Sequence, residues 1–566
     1  MSAAPLRGVI VSDFNAANFA GCLKNTEDLP EVEATPAPFG QVIPALLQAN
    51  HPFWRDAQDF AVVWTQPQGV IRSFEQALKY QAISEERLLA EVDEYGSLLA
   101  GASGRTRSLF VPTWVIPATL REFGLLDLKP GVGLSHTLMR MNLRLAERCE
   151  KVSNIHLLNA QRWMELAGKR AWNPKLWYMG KIPFGNDVFI EAAREIKAGL
   201  RGLTGQSRKL ILLDLDETLW GGVVGDVGWE NLTLGGHDPV GEAFADFQRA
   251  LKALTNRGIL LGIVSKNEET VALEAIERHP EMVLRREDFV GWRINWRDKA
   301  ENVVDLVKST NLGLQSVVFI DDSPVERARV RETLPEVFVP EWPHDKLLCV
   351  SALQELLCFN PSAITEEDLE RTRLYASEGQ REELKRQVAS LDEWLRTLGV
   401  TVRVEGLKEA NLQRTAQLLN KTNQMNLTTR RMAEADLIKW VQEPEHRLWT
   451  FRVSDKFGDS GLTGIAGLEI GGRTGTIVDF VLSCRVMGRK VEETMLWIVT
   501  DYARSRGLDR VQARYIPTSK NKPCLEFWQA SGFAQETQDE RVTLFSWNLH
   551  DPYHRPDSVT VEGDLA

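Results

Sequence analysis

The sequence lacks several features that mark particular classes of protein. Its 566 residues include six cysteines at irregular spacing and no Cys-x-x-Cys pair, which argues against a disulfide framework and favours a reducing compartment. No stretch approaches the roughly 20 consecutive apolar residues of a membrane span, and the first residues lack the hydrophobic segment of a signal peptide. We therefore expect a cytoplasmic protein.

Acidic residues outnumber basic ones, 78 to 67. The formal net charge is −11, so we expect no nucleic-acid partner and no anionic membrane surface as a partner. Hydrophobic residues make up 43% of the chain and charged residues 26%, as in an ordinary globular protein. A chain of this length is too long for one hydrophobic core, and we expect several domains within an α/β multidomain fold.

Residues 1–203 alternate strand and helix patterns, which predicts an α/β domain with a parallel sheet. Its first strand leads into Ser12-Asp13-Phe14-Asn15. This turn resembles the first turn of SGNH hydrolases, but Phe14 stands where the nucleophilic serine would be. The domain is therefore predicted to be SGNH- or flavodoxin-like, and catalysis and docking are both open as its role. Predicted strands are 8–12, 60–64, 109–111 and 155–158, predicted helices are 39–49, 71–99, 134–151 and 187–201, and candidate cleft residues are Asn15, Asn18, Trp114, Asn186 and Asp187.

The most informative stretch is K-L-I-L-L-D-L-D-E-T-L-W, residues 209–220, in a predicted domain 204–346. Its apolar run predicts a strand that ends in Asp214 and Asp216. Alternate residues of a strand face the same side, so the two carboxylates share a face. Carboxylate oxygens suit Mg²⁺, and open α/β sheets bind ligands at the carboxyl ends of their strands.

Two further strands, 259–264 and 317–320, also end in polar residues. Ser265 follows the first, and Asp321 and Asp322 follow the second, while Lys299 opens a predicted helix 299–309 between them. These four motifs together resemble the haloacid dehalogenase (HAD) superfamily of phosphoryl-transfer enzymes, which implies a Rossmann-like parallel sheet. The alternative is that the carboxylates only form turns.

The HAD resemblance implies a role for each motif residue. Asp214 would be the nucleophile that forms an aspartyl-phosphate, and Asp216 the general acid and base. The implied phosphate-binding residues are Thr218, Ser265, Lys266, Asn267 and Lys299, and the implied Mg²⁺ ligands are Asp214, Asp216 through its backbone carbonyl, Asp321 and Asp322. The intervals 217–264 and 266–298 are too short for a typical cap domain, so we expect an open site.

The sequence pattern predicts a charged helical linker at 347–398, a third domain at 399–550 and a tail at 551–566. The third domain resembles the GNAT acyltransferase fold, which implies an α+β architecture. Its loop Arg485-x-x-Gly488-x-Lys490 matches two of the three positions of the acyl-CoA loop. A helix start of this kind can bind a phosphate through backbone N–H groups.

Cys484 stands out among the six cysteines. It follows a predicted strand and lies beside Arg485 and Arg489, and cationic neighbours favour the nucleophilic thiolate. The alternative is a buried structural cysteine, which is our interpretation of Cys22, Cys149, Cys349, Cys358 and Cys524.

The combined domain order resembles the FkbH family, a capless HAD phosphatase with a GNAT-like domain. The resemblance rests on 213–225, I-V-S-K-N at 263–267, F-I-D-D-S-P-V-E-R at 319–327, N-K-T-N-Q-M-N-L-T at 420–428 and L-S-C-R-V-M-G-R at 482–489. It implies an enzyme of polyketide-type biosynthesis that uses Mg²⁺, dephosphorylates 1,3-bisphosphoglycerate and passes the glyceryl unit through Cys484 to the phosphopantetheine thiol of an acyl carrier protein.

Asn423, Gln424 and Asn426 are candidates to bind the pantetheine or acyl chain, and an amide-rich turn is their alternative. Arg485, Gly488 and Arg489 are candidates to bind its phosphate. A Mg²⁺-dependent phosphatase with a non-catalytic GNAT-like domain is the alternative for the whole chain. A carrier-protein docking platform with a vestigial active site, and a related hydroxyacyl unit such as lactyl, are further possibilities.

Overall fold

The computed structural model describes residues 5–563, apart from 27, 49, 55–57, 121–123, 311, 361–389, 423, 519 and 539–541. The chain divides into two compact units, Met1–Arg201 and Gly202–Ala566. Much of the predicted linker 347–398 falls outside the described residues. Within its described part, helices cover Cys349–Gln354 and Leu391–Leu398.

The first unit contains a five-stranded parallel sheet with the order β2-β1-β3-β4-β5. This flavodoxin-like order reverses direction between β1 and β3. The four predicted strands are confirmed. Sequence analysis missed β2, because this edge strand buries only its first residue and ends in a proline. The strands are β1 Leu6–Ser12, β2 Val32–Pro36, β3 Phe60–Trp64, β4 Leu109–Pro112 and β5 Ile155–Leu158.

Helices pack on this sheet much as the apolar periodicity predicts, although the predicted helix 71–99 is divided in two. Its interruption follows Leu78, where Tyr80 adopts a positive φ of 57°. The helices are α1 Ala17–Asn25, α2 Val42–Leu47, α3 Pro67–Val70, α4 Arg72–Leu78, α5 Glu85–Ser103, α6 Leu134–Cys149, α7 Ala160–Ala167, α8 Pro174–Gly180 and α9 Asn186–Leu203.

The second unit begins with a four-stranded parallel sheet of order β8-β7-β6-β9. Strand β6 is apolar throughout because both of its faces are covered: Ile211 and Leu213 pack in one core, and Leu210 and Leu212 in another. Sequence analysis missed β8, whose apolar run is interrupted by Gly291. The strands are β6 Leu210–Leu213, β7 Leu260–Ser265, β8 Phe289–Ile294 and β9 Val317–Ile320.

Both faces of this second sheet carry helices. The predicted helix that begins at Lys299 is confirmed with bounds Lys299–Ser309, and its predicted stripe Val303, Leu306 and Val307 is buried. The helices are α10 Val224–Val227, α11 Pro239–Thr255, α12 Glu269–Arg278, α13 Lys299–Ser309, α14 Pro324–Thr333 and α15 Cys349–Gln354.

A mixed sheet follows, with the order β16-β17-β15-β14-β13-β12-β10-β18 and β11 paired to β14. Strands β12 to β14 are antiparallel, whereas β14 and β15 run parallel. The predicted tail contains a strand, β18, that pairs in parallel with β10. The strands are β10 Val400–Gly406, β11 Met425–Asn426, β12 His446–Asp455, β13 Gly458–Gly471, β14 Thr474–Leu482, β15 Arg510–Tyr515, β16 Ala534–Gln538, β17 Thr543–Asn548 and β18 Val559–Gly563.

The helices of this region are α16 Leu391–Leu398, α17 Glu409–Lys421, α18 Glu434–Gln442, α19 Val491–Ser505 and α20 Lys522–Ala530. The predicted fold class, two parallel-sheet α/β domains followed by an α+β domain, is confirmed. None of the six cysteines, all of which lie among the described residues, forms a disulfide bond. Among the described residues, no helix has both the length and the hydrophobicity needed to cross a membrane.

Candidate active site

The central sheet brings the predicted HAD residues together at one edge. In the sheet, β6 pairs with β7 on one side and with β9 on the other. The chain adds β7 and β8 on the first side and then returns to add β9 on the second, so the strand order reverses between β6 and β9. Asp214 follows β6, Asp321 follows β9, and the Asp214 backbone N–H donates to the Ile320 carbonyl at 3.0 Å. The two aspartates therefore lie at the crevice where such sheets bind ligands.

A buried lysine bridges these two carboxylates. The Lys299 Nζ lies 3.0 Å from Asp214 Oδ2 and 2.6 Å from Asp321 Oδ2. Helix α13 carries this lysine in its first turn, and Asp298 caps the helix by accepting from the Ala300 and Glu301 backbone N–H groups. Burial lowers the pKa of Lys299, but attraction by Asp214 and Asp321 outweighs burial, and the net pKa is raised. Lys299 is therefore a fixed cation.

Three carboxylates at this edge form a group suited to a metal ion. Asp214, Asp321 and Asp322 each offer an oxygen, and these oxygens lie within 4.8 Å of one another. Burial, and then repulsion by Asp214, raise the pKa of Asp321 to about 6 despite Lys299. The single positive charge of Lys299 therefore does not neutralise all three carboxylates. Three carboxylate oxygens in one place suit Mg²⁺, which prefers oxygen ligands.

Asp216 has a different environment from the metal-site carboxylates. Its Oδ1 accepts from Trp220 Nε1 at 2.8 Å and from the Val224 N–H at 3.0 Å, and its Oδ2 accepts from Asn267 Nδ2 at 2.8 Å. Burial raises its pKa, repulsion by Asp214 adds to the increase, and these hydrogen bonds oppose it. A rigidly held carboxyl that retains its proton more readily suits a general acid.

Of the remaining predicted residues of this domain, two contact the aspartates of the site, one is buried at a strand end, and one forms an ion pair outside the acidic triad. Asn267 orients Asp216, and Thr218 Oγ1 accepts from the Asp322 N–H at 3.2 Å. Ser265 is buried at the end of β7. Lys266, in contrast, pairs with Glu326 at 2.6 Å, so the structure gives its ammonium a carboxylate partner outside the acidic triad.

Two basic residues of this site were missed by sequence analysis. Arg327 Nη1 donates to the backbone carbonyls of Asp321 and Asp322, each at 2.8 Å, and so fixes the metal-site turn. Lys346 Nζ donates to the Glu217 carbonyl at 2.5 Å and lies 3.9 Å from Asp322 Oδ2. Arg327 lies within a motif that sequence analysis had singled out, whereas no sequence signal marked Lys346.

Cys484, the predicted nucleophile of the third domain, begins a short 3-10 turn, Cys484–Val486, and is partly exposed. Helix α19 begins only at Val491. Arg485 Nε donates to Ser483 Oγ at 3.2 Å. Arg489 forms an ion pair with Asp455 at 3.2 Å, with both side chains at most 2% exposed, so its charge is already partnered inside the domain.

The loop predicted to bind phosphate contains an acidic partner of its own. The Gly488 N–H donates to Glu492 Oε1 at 2.7 Å, where an anionic ligand would otherwise accept. Glu492 is buried, and its Oε2 has no hydrogen-bond partner among the described residues. Burial raises the pKa of Glu492 to about 7.

The amide-rich segment near residue 425 forms structural contacts. Asn426 Nδ2 donates to the Thr422 carbonyl at 3.0 Å, and its Oδ1 accepts from the Thr429 N–H at 2.8 Å. These two hydrogen bonds fit the amide-rich turn that is the alternative interpretation of Asn426. Asn423 lies outside the described residues.

The first turn of the N-terminal domain is filled by aromatic side chains. Phe14 is 1% exposed and has ring contacts with Trp64, Phe184 and Phe189. Asp13 accepts from the Gln66 N–H at 3.0 and 3.1 Å. Burial raises its pKa to about 6.

The five candidate cleft residues of that domain divide between exposed positions and structural contacts. Trp114 is buried and donates to Thr65 Oγ1 at 3.1 Å, and Asn18 is exposed. Asn15 accepts from the Ala17 N–H, Asn186 from Cys22, and Asp187 pairs with Arg170.

No family model matches this chain, and no curated protein matches it. A solved structure of the N-terminal part of the protein BF1531 from Bacteroides fragilis, containing a phosphatase domain complexed with Mg, is 26% identical, with a TM-score of 0.57, over 64% of this chain and 95% of that one. The chain is thus similar to a phosphatase-domain protein.

Two acetyltransferase structures each cover a smaller part of the chain. The ribosomal-protein-S18-alanine N-acetyltransferase of Escherichia coli is 10% identical over 26% of this chain and 94% of its own, with a TM-score of 0.21. The spermidine N-acetyltransferase of Vibrio cholerae, solved with CoA and spermine, is 16% identical over 27% and 97%, with a TM-score of 0.22.

Proposed function

We propose that the chain is a Mg²⁺-dependent phosphatase of the HAD type that acts on a phosphorylated small acid. The observation that carries this proposal is the convergence of Asp214, Lys299 and Asp321 at one buried edge, with bonds of 3.0 and 2.6 Å through the lysine. Similarity to a phosphatase-domain protein complexed with Mg supports it. Asp214, Asp321 and Asp322 would hold the ion, together with the Asp216 carbonyl.

The chemistry proceeds in two displacements. An Asp214 carboxylate oxygen attacks phosphorus, the bond from phosphorus to the leaving oxygen breaks, and that oxygen takes the Asp216 proton. Asp216, now ionised, accepts a proton from water as the water attacks the aspartyl-phosphate, which releases phosphate and restores Asp214. Bound Mg²⁺ supplies charge stabilisation to the phosphoryl oxygens. Lys299 holds the nucleophile in place and adds positive charge.

We further propose that the acid is 1,3-bisphosphoglycerate or a related hydroxyacyl phosphate, and that its acyl unit passes through Cys484 to an acyl carrier protein. The Cys484 thiolate attacks the acyl carbon, and the acyl phosphate leaves as inorganic phosphate. The carrier's phosphopantetheine thiol then takes the acyl group by thioester exchange. Partial exposure of Cys484 supports this step, and the resemblance of residues 482–489 to FkbH proteins motivates it.

Intact mass spectrometry tests the acyl transfer. The protein is incubated with Mg²⁺ and 1,3-bisphosphoglycerate made in situ, without a carrier protein. We expect a glyceryl or phosphoglyceryl adduct that is absent from Cys484→Ala and retained in Cys22→Ala, a control cysteine of similar partial exposure. An adduct in Cys484→Ala would refute the thioester route.

One observation favours the alternative of a phosphatase with a non-catalytic third domain. The Gly488 N–H donates to Glu492 Oε1 at 2.7 Å, so this backbone donor is already used where the phosphate of an acyl-carrying cofactor would accept. Phosphate release through Asp214 without any protein adduct would support this alternative.

A further inference from the structure

Lys346 lies at the candidate active site although it follows the last HAD motif by more than twenty residues. It begins the 3-10 turn Lys346–Leu348, which Asp345 caps by accepting from the Leu347 N–H at 3.0 Å. Its ammonium lies 5.9 Å from the centre of the Phe244 ring. The backbone and the side chain of Lys346 are therefore both positioned by neighbouring residues.

The contacts of the Lys346 ammonium differ from those of the other two lysines at the site. Lys299 is bonded to two buried carboxylates, and Lys266 lies 2.6 Å from Glu326. Lys346 Nζ donates to the neutral Glu217 carbonyl at 2.5 Å, while the carboxylates lie farther away, at 3.4 Å for Glu217 and 3.9 Å for Asp322.

This geometry leaves the ammonium able to accept another anion. An ammonium group has three donors, and the Glu217 carbonyl occupies one. The Glu217 carboxylate is 43% exposed and lies 3.4 Å from Nζ, beyond the usual length of a hydrogen bond. A substrate anion can therefore replace it at low cost, while the carbonyl keeps Nζ in place.

The position of Lys346 relative to the metal site indicates which anion it would bind. Asp322, 3.9 Å from Nζ, belongs to the acidic triad, so Lys346 lies beside the carboxylates that would hold Mg²⁺ in the proposed reaction. The Lys346 side chain is 19% exposed, so a ligand can reach its ammonium group.

Resting on the proposed phosphatase function, we propose that Lys346 is a specificity-determining residue that binds a second anionic group, such as a carboxylate, on the substrate. The substrate class is then phosphate esters of acids rather than of neutral alcohols. The reaction at phosphorus is unchanged, since Lys346 contacts neither Asp214 nor Asp216 among its described contacts.

Two phosphate esters of the same carbon skeleton test this assignment. 3-Phosphoglycerate carries a carboxylate where glycerol 3-phosphate carries a neutral hydroxymethyl group. With full-length protein and Mg²⁺, we expect Lys346→Met to raise KM for 3-phosphoglycerate about tenfold to a hundredfold, the range of a charge-assisted hydrogen bond. We expect kcat, and both parameters for glycerol 3-phosphate, to change less than about twofold. Lys346→Arg should restore part of the affinity.

Lys252→Met is the matched control. Lys252 also contacts a carboxylate and a backbone carbonyl, Asp288 at 3.0 Å and Val283 at 3.3 Å, in the same domain but outside the site. It should leave both substrates unaffected. Equal losses for both esters in Lys346→Met would show that the lysine only supports the loop at Glu217, and unchanged KM for 3-phosphoglycerate would show that it meets no substrate anion. Either result overturns the assignment.

Binding to Asp214→Asn protein, measured by calorimetry, separates this inference from the proposed reaction. We expect 3-phosphoglycerate to bind the Asp214→Asn protein about tenfold or more tightly than the Asp214→Asn, Lys346→Met double variant. If that difference is found while wild-type protein hydrolyses neither ester, the proposed phosphatase reaction is wrong, but the proposal that Lys346 binds a substrate carboxylate is supported. If the two variants bind equally, the carboxylate site fails whether or not phosphate is released.

Discussion

Strand β1 in the first parallel sheet and strand β6 in the second each lie where the strand order reverses, and an aspartate follows both. After β6, Asp214 meets Lys299 at 3.0 Å and belongs to a triad of carboxylates. After β1, Asp13 accepts only backbone N–H groups among its described hydrogen bonds, from Gln66. The topology is shared, but only the second position combines carboxylates with a buried cation.

The space beside the two aspartates differs as well. At β1 the next residue, Phe14, is buried against Trp64, Phe184 and Phe189. After β6, the residue that follows Asp214 is Leu215, which is buried in the core. The next residue, Asp216, belongs to the candidate site, where it accepts a hydrogen bond from Asn267. The crevice at a strand reversal is therefore a position where a site can form, and the side chains that follow the strand decide whether it is filled or reactive.

The largest expected difference between the two positions is in catalysis. Asp214→Asn should lower kcat for phosphate release by at least about a thousandfold, because the amide cannot form the aspartyl-phosphate. Asp13→Asn, the matched substitution after β1, should leave kcat within about twofold. Phosphate release with Mg²⁺ measures both. Comparable losses in the two variants would mean that the N-terminal aspartate also takes part in the chemistry.

The second prediction concerns stability, for which we expect a large effect at the end of β1. Phe14→Ala should lower the free energy of unfolding of the N-terminal sheet by about 3 to 5 kcal/mol, the usual cost of removing a buried aromatic ring. Hydrogen exchange of peptides that cover β1 and β3 reports it, and phosphate release should persist. Phe39→Ala, at a residue that is 55% exposed, is the control and should change exchange little. A small effect of Phe14→Ala would argue that the aromatic cluster leaves an open cleft.

The third prediction concerns Lys299, the buried cation that lies between Asp214 and Asp321. Lys299→Met leaves Asp214 and Asp321 buried together, which should destabilise the metal-free protein by about 3 kcal/mol. Hydrogen exchange of β6 and β9 in EDTA measures this loss. Because a divalent cation can compensate the same carboxylates, Mg²⁺ should slow exchange more in Lys299→Met than in wild type. Lys252→Met serves as the control, and an unchanged response to Mg²⁺ would count against the metal site.

Local sequence patterns were enough to predict which residues meet at the core of the candidate site. The apolar run before Asp214, and the positions of Ser265 and Asp321 after two further apolar runs, follow from strand periodicity and from parallel topology. These signals are contained within a few residues, and the parallel sheet brings their ends together. The parallel arrangement of β6, β7 and β9 and the helix beginning at Lys299 were confirmed for the same reason.

Contacts that depend on distant residues could not be predicted from the sequence. Lys346 reaches the carbonyl of a residue 129 positions earlier, and no periodic pattern records such a contact. The aromatic packing of Phe14 likewise involves residues 50 and 170 positions away, and only tertiary structure brings those residues together.

The smallest expected effect is on the pH dependence of the N-terminal sheet. Burial raises the pKa of Asp13 from 3.8 to about 6. An acid with a raised folded-state pKa contributes stability at low pH that is lost as the pH rises through that value, so the sheet should lose on the order of 1 to 3 kcal/mol between about pH 4 and pH 7. Asp13→Asn should remove this component. Hydrogen exchange of β1 and β3 at pH 4.5 and 7.5, corrected for intrinsic rates, measures the difference. Equal pH dependence in wild type and variant would mean that a cation compensates Asp13 as Lys299 compensates Asp214, and the contrast between the two strand ends would then be wrong.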